Sequence, residues 1–144
     1  MKKRYLFIAL ALLVSLFTAR MPLAQEGDFD GPIHVSSLHG GVANGTAYQT
    51  VSDYRVKPGM TEYEPLVTLL CGTKCRLGLQ TFFMSPYRGI GKIDALYYID
   101  TRPYSGFAAY DRDHDLVAIN GTFYSVDQSF FSQLEEILST IPKI

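Results

Sequence analysis

Near its C-terminal end the chain carries Phe130, Phe131, Leu134, Ile137, Leu138 and Ile141, six apolar residues at helical spacing. They form one wide stripe, with Gln133 and Glu136 outside it. Asp127 stands where an N-cap belongs and Pro142 where a helix must stop, so the spacing predicts a helix from Gln128 to about Thr140. A helix with one broad apolar face has to bury it against something, and the sequence just before it offers a sheet. Leu116 to Ile119 and Thr122 to Val126 are short apolar runs separated by Asn120-Gly121, the pattern of a two-residue type I′ hairpin. Upstream, Ile93 to Asp100 and Gly106 to Tyr110 read as two further strands around Arg102-Pro103. The expectation is a single α+β domain: an antiparallel β-sheet of five to seven short strands, mostly meander and hairpins, packed by a C-terminal amphipathic helix.

The N-terminal half of the domain reads less clearly. Ile33 to Leu38 suits a short strand, His39 to Thr46 is rich in turn formers including Asn44-Gly45, and Ala47 to Val56 is a strand stopped by Lys57-Pro58-Gly59. Residues 62–71 satisfy two patterns. Thr61 and Glu64 fit a helix capping box, and Tyr63, Leu66, Val67 and Leu70 recur at helical spacing. Pro65, at about the fourth helical position, opposes a helix. Leu66 to Cys71 also suits a buried strand, paired beyond Gly72-Thr73-Lys74 with Leu77, Leu79 and Thr81 to Met84. The strand reading is favoured.

Residues 1–24 differ from the rest. Lys2, Lys3 and Arg4 precede an apolar run from Tyr5 to Ala19, closed by Arg20. Fifteen residues give about 22 Å of helix, short of a hydrocarbon core of about 30 Å. That layout predicts a signal peptide over residues 1–24, with cleavage after Ala24 or, as the second option, after Ala19. A polar, flexible entry segment over 25–32 then leads into one domain, 33–144. The implied location is exported, periplasmic or secreted, with no stable membrane anchor after cleavage. The full chain of 144 residues has 13 Lys+Arg and 14 Asp+Glu, but the leader holds four of the cations and none of the acids. The mature part keeps nine cations and fourteen acids, a net charge of −5. Such a charge disfavours a nucleic-acid partner and suits a cationic one.

Export places Cys71 and Cys75 where disulfides persist, and the expectation is a structural bridge across the turn, worth about 2 kcal/mol from so small a loop. Asp111-Arg112-Asp113-His114-Asp115 has carboxylates at positions 1, 3 and 5 of a calcium loop, but Leu116 and Thr122 stand where that motif needs Gly and Glu. A solvated acidic turn is the expected reading. His34 and His39, five apart, make no natural metal pair in a strand or a helix. The chain contains no phosphate loop, dinucleotide-binding glycine pattern or His-Glu-x-x-His. His39-Gly40-Gly41 resembles the oxyanion-hole glycines of some esterases, without the Gly-x-Ser-x-Gly that supplies their nucleophile. No catalytic residue, metal or cofactor is therefore assigned.

The remaining unusual feature is aromatic. Tyr87, Tyr97, Tyr98, Tyr104 and Tyr110 fall close together, interleaved with Arg88, Arg102 and Arg112. Tyr and Arg combine large contact area with a hydrogen-bonding tip. Tyr87, Arg88, Tyr98, Arg102 and Tyr104 form the candidate binding face. The functional expectation is a small exported non-enzymatic binding protein: an inhibitor, an immunity-type protein or an accessory protein recognising a protein or cell-envelope component. The alternative is a small secreted hydrolase using His39 or His114 with Asp111 or Asp113.

Overall fold

Four consecutive strands form the meander foreseen in the C-terminal half, and α-helices cover one side of the sheet they belong to. The computed structural model describes residues 2–43, 45–77, 95–101, 108–111, 115–119 and 122–144. In chain order the elements are α1 (Lys2–Thr18), β1 (Arg20–Pro22), β2 (Ile33–Ala43), β3 (Thr46–Val56), α2 (Tyr63–Gly72), β4 (Lys74–Arg76), β5 (Ala95–Thr101), β6 (Ala108–Asp111), β7 (Leu116–Ile119), β8 (Thr122–Ser125) and α3 (Gln128–Ser139). The described strands lie in one antiparallel sheet of order β1-β4-β8-β7-β6-β5-β2-β3. The bridge pair Arg76↔Ser125 joins the small β1–β4 ribbon to the larger sheet. The α+β fold with a C-terminal helix is therefore the fold of this chain.

Turn chemistry explains the hairpins. β2 and β3 pair along all eleven residues of each, ending at Ala43↔Thr46, and Gly45 takes the positive φ of 77° that a tight turn asks of glycine. The strands run through His39 to Ala43, which composition alone assigns to a turn. Cross-strand pairing overrides that local preference. β7 and β8 close at Ile119↔Thr122, the spacing that a two-residue connection produces.

Alternation along the strands sorts the sheet into two faces. Ile33, Val35, Tyr54, Val56, Tyr97, Ile99 and Val117 point inward, where α2 and α3 meet them. Asp127 caps α3 as foreseen, its side chain accepting the Ser129 N–H at 2.9 Å. Phe130, Phe131, Leu134 and Leu138 are buried, each 4% exposed or less. The buried Tyr97 hydroxyl, on β5, donates to Glu135 Oε1 of α3 at 2.7 Å, and its ring lies 6.3 Å from that of Phe131. Helix and sheet are thus joined by packing and by a charge-assisted hydrogen bond.

Residues 63–72 are helical, which corrects the strand reading of Leu66 to Cys71. The helix begins one residue later than the capping box implies, with Glu62 at the N-cap and no side-chain cap. Pro65 becomes the third helical residue. The first four N–H groups of a helix have no intrahelical partner, so a proline there loses nothing. Tyr63, Leu66, Leu69 and Leu70 then share the buried face. The strand partner proposed for this segment, Leu79 and Thr81 to Met84, lies outside the described residues.

The N-terminal segment has two parts with different fates. Residues 3–16 of α1 are all exposed, and large side chains such as Tyr5, Leu6, Phe7 and Leu12 are more than half accessible. No helix among the described residues is long and apolar enough to cross a membrane. Residues 20–24, by contrast, belong to the domain. Met21 pairs with Cys75, the Leu23 N–H donates to the Thr73 carbonyl at 3.0 Å, and the Ala24 N–H to the Leu70 carbonyl at 3.2 Å. Leu23, Ala24 and Phe29 pack against the core, and the Tyr63 hydroxyl ties down the Gly31 carbonyl at 3.0 Å.

Candidate functional site

The described helices α2 and α3 stand on the inner face, so among the described residues the outer face of the sheet has no helix above it. Across β3, β2 and β5 the register aligns Arg55, His34 and Asp100 in one row and Asp53, Ser36 and Tyr98 in the next. Ser36 donates to Asp53 Oδ1 at 2.6 Å. Val51 and Leu38 add apolar surface beside them, Val51 more than half exposed and Leu38 half-buried. Tyr97 and Tyr98 take opposite faces, as strand alternation requires: Tyr97 is 1% exposed beneath α3, and Tyr98 is half-buried on the outer face. Of the candidate binding residues only Tyr98 is placed. Tyr87, Arg88, Arg102 and Tyr104 lie outside the described residues.

Cys71 and Cys75 do not form the expected disulfide. Both are free thiols, too far apart to bridge. The reason is the helix: Cys71 sits in its last turn, whereas Cys75 is the central residue of β4 and points into the core. Their surroundings differ accordingly. Burial raises the Cys71 pKa, helped by the nearby carboxylates of Glu26 and Asp28, and burial also raises that of Cys75. Both sulfurs are held as protonated, poorly nucleophilic thiols.

The histidines are separated as the sequence implies. His34 is exposed on the outer face. His39 belongs to the inner set and meets Tyr97 edge-on, with ring centroids 5.9 Å apart. Asp111 ends β6, where its backbone pairs with Leu96 and Leu116. His114 and Asp113 lie outside the described residues. Among the described residues no three His, Cys, Asp or Glu side chains gather as metal ligands would. Asp115, at the end of the acidic stretch, adopts a left-handed φ of 52° and its carbonyl accepts the Val126 N–H at 2.9 Å.

Among the described residues, two depressions lie near the β1–β4 ribbon. A broad groove of about 900 Å³ runs between α2 and α3, lined by the apolar Pro65, Leu69 and Ile137 and by the polar Glu64, Gln133 and Glu136 among others. A smaller cavity of about 190 Å³ lies between β1, β4 and the start of α3, lined by Arg20, Lys74, Arg76, Ser125, Val126 and Asp127. Sequence reading missed this cluster. Its members come from three distant segments, and Arg20 reads in sequence as the closing charge of a leader.

Comparison with known protein families, with curated proteins and with solved structures finds no significant match to this chain.

Proposed function

We propose that this chain is an exported, non-enzymatic binding protein that recognises a protein or cell-envelope component through the outer face of its sheet. The observation that carries the reading is that the described helices pack on one side of the sheet. α2 and α3 bury the inner face, while Tyr98, Leu38 and Val51 form a mixed aromatic and apolar patch on the other, bordered by His34, Arg55, Asp53 and Asp100. An apolar centre with a polar rim is how protein interfaces are built, and a tyrosine supplies area with little entropy cost. The exposed α1, with its cationic start, supports export, and the acid excess of the remaining chain favours a cationic partner.

Site-specific photo-crosslinking in the producing cells tests this. A photoreactive residue at Tyr98 or His34 is expected to yield a discrete adduct, and one at Glu136 on α3 none. Adducts of equal yield from both faces, or from neither, would refute the outer face as the recognition surface.

A further inference from the structure

We propose that the cavity at the foot of α1 binds a phosphoryl group. The β1–β4 register sets Arg20 directly opposite Arg76, with Lys74 two residues along the same face of β4. Like charges directly opposite one another on a sheet are destabilising. Here three cations line a single cavity of about 190 Å³. At about 30 Å³ per water, that space holds about six waters, or a phosphoryl group with a few of them. Asp127 is the carboxylate in the lining, and its Oδ1 already accepts the Ser129 N–H. The cavity therefore keeps an excess of two positive charges, which a phosphate monoester, with nearly two negative charges at neutral pH, would balance.

Donor geometry favours phosphate over a carboxylate. A planar carboxylate is served by one guanidinium fork, whereas a tetrahedral oxyanion presents oxygens to donors arriving from several directions. Arg20 on β1 and Lys74 and Arg76 on β4 approach from two strands. Ser125 on β8 adds a hydroxyl at the third side and holds the guanidinium, the Arg76 Nε donating to its Oγ at 3.3 Å. That bond leaves the terminal N–H groups of Arg76 for a ligand. Arg20 lies beyond the end of α1 at Thr18, with Ala19 between them, so a chain cleaved after Ala19 retains the whole site. A free phosphate monoester and the monoester headgroup of phosphatidic acid offer the same chemistry there.

The test uses the full chain in neutral detergent at constant ionic strength. Inorganic phosphate, glycerol 3-phosphate and a short-chain phosphatidic acid below its micellar concentration are titrated separately, with binding read by calorimetry and by the thermal midpoint. Lys74→Gln and Arg76→Gln, both at exposed positions, are checked for an unchanged circular dichroism spectrum. Each is expected to weaken binding about tenfold, the value of one charge-assisted hydrogen bond, and Arg76→Lys to weaken it less. Binding of the two soluble phosphates that depends on Lys74 and Arg76 identifies a free ester as ligand. Binding of the lipid alone, with the same dependence, identifies a headgroup. No binding of any of the three, or binding equal in the glutamine variants, overturns the proposal, because α1 alone would take up lipid without regard to Lys74 and Arg76.

Discussion

Replacing Tyr97 with phenylalanine isolates one polar contact between α3 and the sheet. The ring stays, with its neighbours Phe131 at 6.3 Å and His39 at 5.9 Å, and only the hydroxyl that donates to Glu135 Oε1 at 2.7 Å is lost. A hydrogen bond to a charged group contributes about 1.5–3 kcal/mol when both ends are sequestered. Tyr97 is 1% exposed, but Glu135 is only half-buried and its carboxylate can rehydrate once the donor is gone. The expected loss is therefore at the lower end, about 1–2 kcal/mol. For a domain of this size that corresponds to a fall in Tm of about 4–8 °C. Urea unfolding should show a lower midpoint with an unchanged slope, since the surface exposed on unfolding hardly changes. A double-mutant cycle with Glu135→Ala separates this bond from any other contact of either side chain, and a coupling of about 1 kcal/mol is expected. Coupling within about 0.3 kcal/mol of zero would refute the assigned role of the Tyr97–Glu135 bond in docking α3.

Three further outcomes follow from the same geometry. Leu134→Ala, at a fully buried position on the sheet-facing side of α3, should destabilise the domain by about 3–4 kcal/mol in urea unfolding, near the middle of the range for leucine truncations. A chain starting at Gln25 lacks β1, the Leu23 and Ala24 backbone bonds and the Leu23 packing, and should be about 2 kcal/mol less stable than one starting at Arg20, in the same assay. The hydrogen bond from Ser129 lowers the Asp127 pKa below its ordinary 3.8, so the folded state favours the carboxylate. Its contribution is present above that value and is lost as pH falls through the lower folded pKa. Thermal melts of Asp127→Asn, which keeps a capping oxygen without the charge, should fall below wild type at pH 6 and converge with it in strong acid.

Thiol chemistry checks the correction at Cys71 and Cys75. Without reductant, alkylation after unfolding should add two labels to the chain, since both sulfurs are free. In the native state Cys75, 1% exposed, should resist labelling, while half-buried Cys71 should react slowly and faster as pH rises toward its raised pKa. Complete native labelling of Cys75 at neutral pH would contradict its placement in the core.

What could be read in advance depended on the range of the interactions involved. Asp127, the stripe from Phe130 to Leu138 and the two-residue connection at 120–121 act within a few residues, so cap, helix and hairpin were all legible. Pro65 illustrates a finer dependence: moving the helix start by a single residue turned an obstacle into a tolerated third position, and the whole segment changed class. Cys71 then moved with it, from a strand where it would face Cys75 to the end of a helix where it does not. The Tyr97 and Tyr98 pair was half legible, because alternation gives opposite faces but does not say which one α3 will cover. The Arg20, Lys74, Arg76 and Ser125 cluster had no local signature at all. It exists because β1 returns to pair with β4 and β4 touches β8 at one residue, so three segments with no shared pattern supply one cavity. Charge totals hid it further, since the chain is acidic overall once the leader is set aside. A cationic site on an acidic domain therefore follows from strand order, and each of its cations, read alone, is an ordinary surface residue.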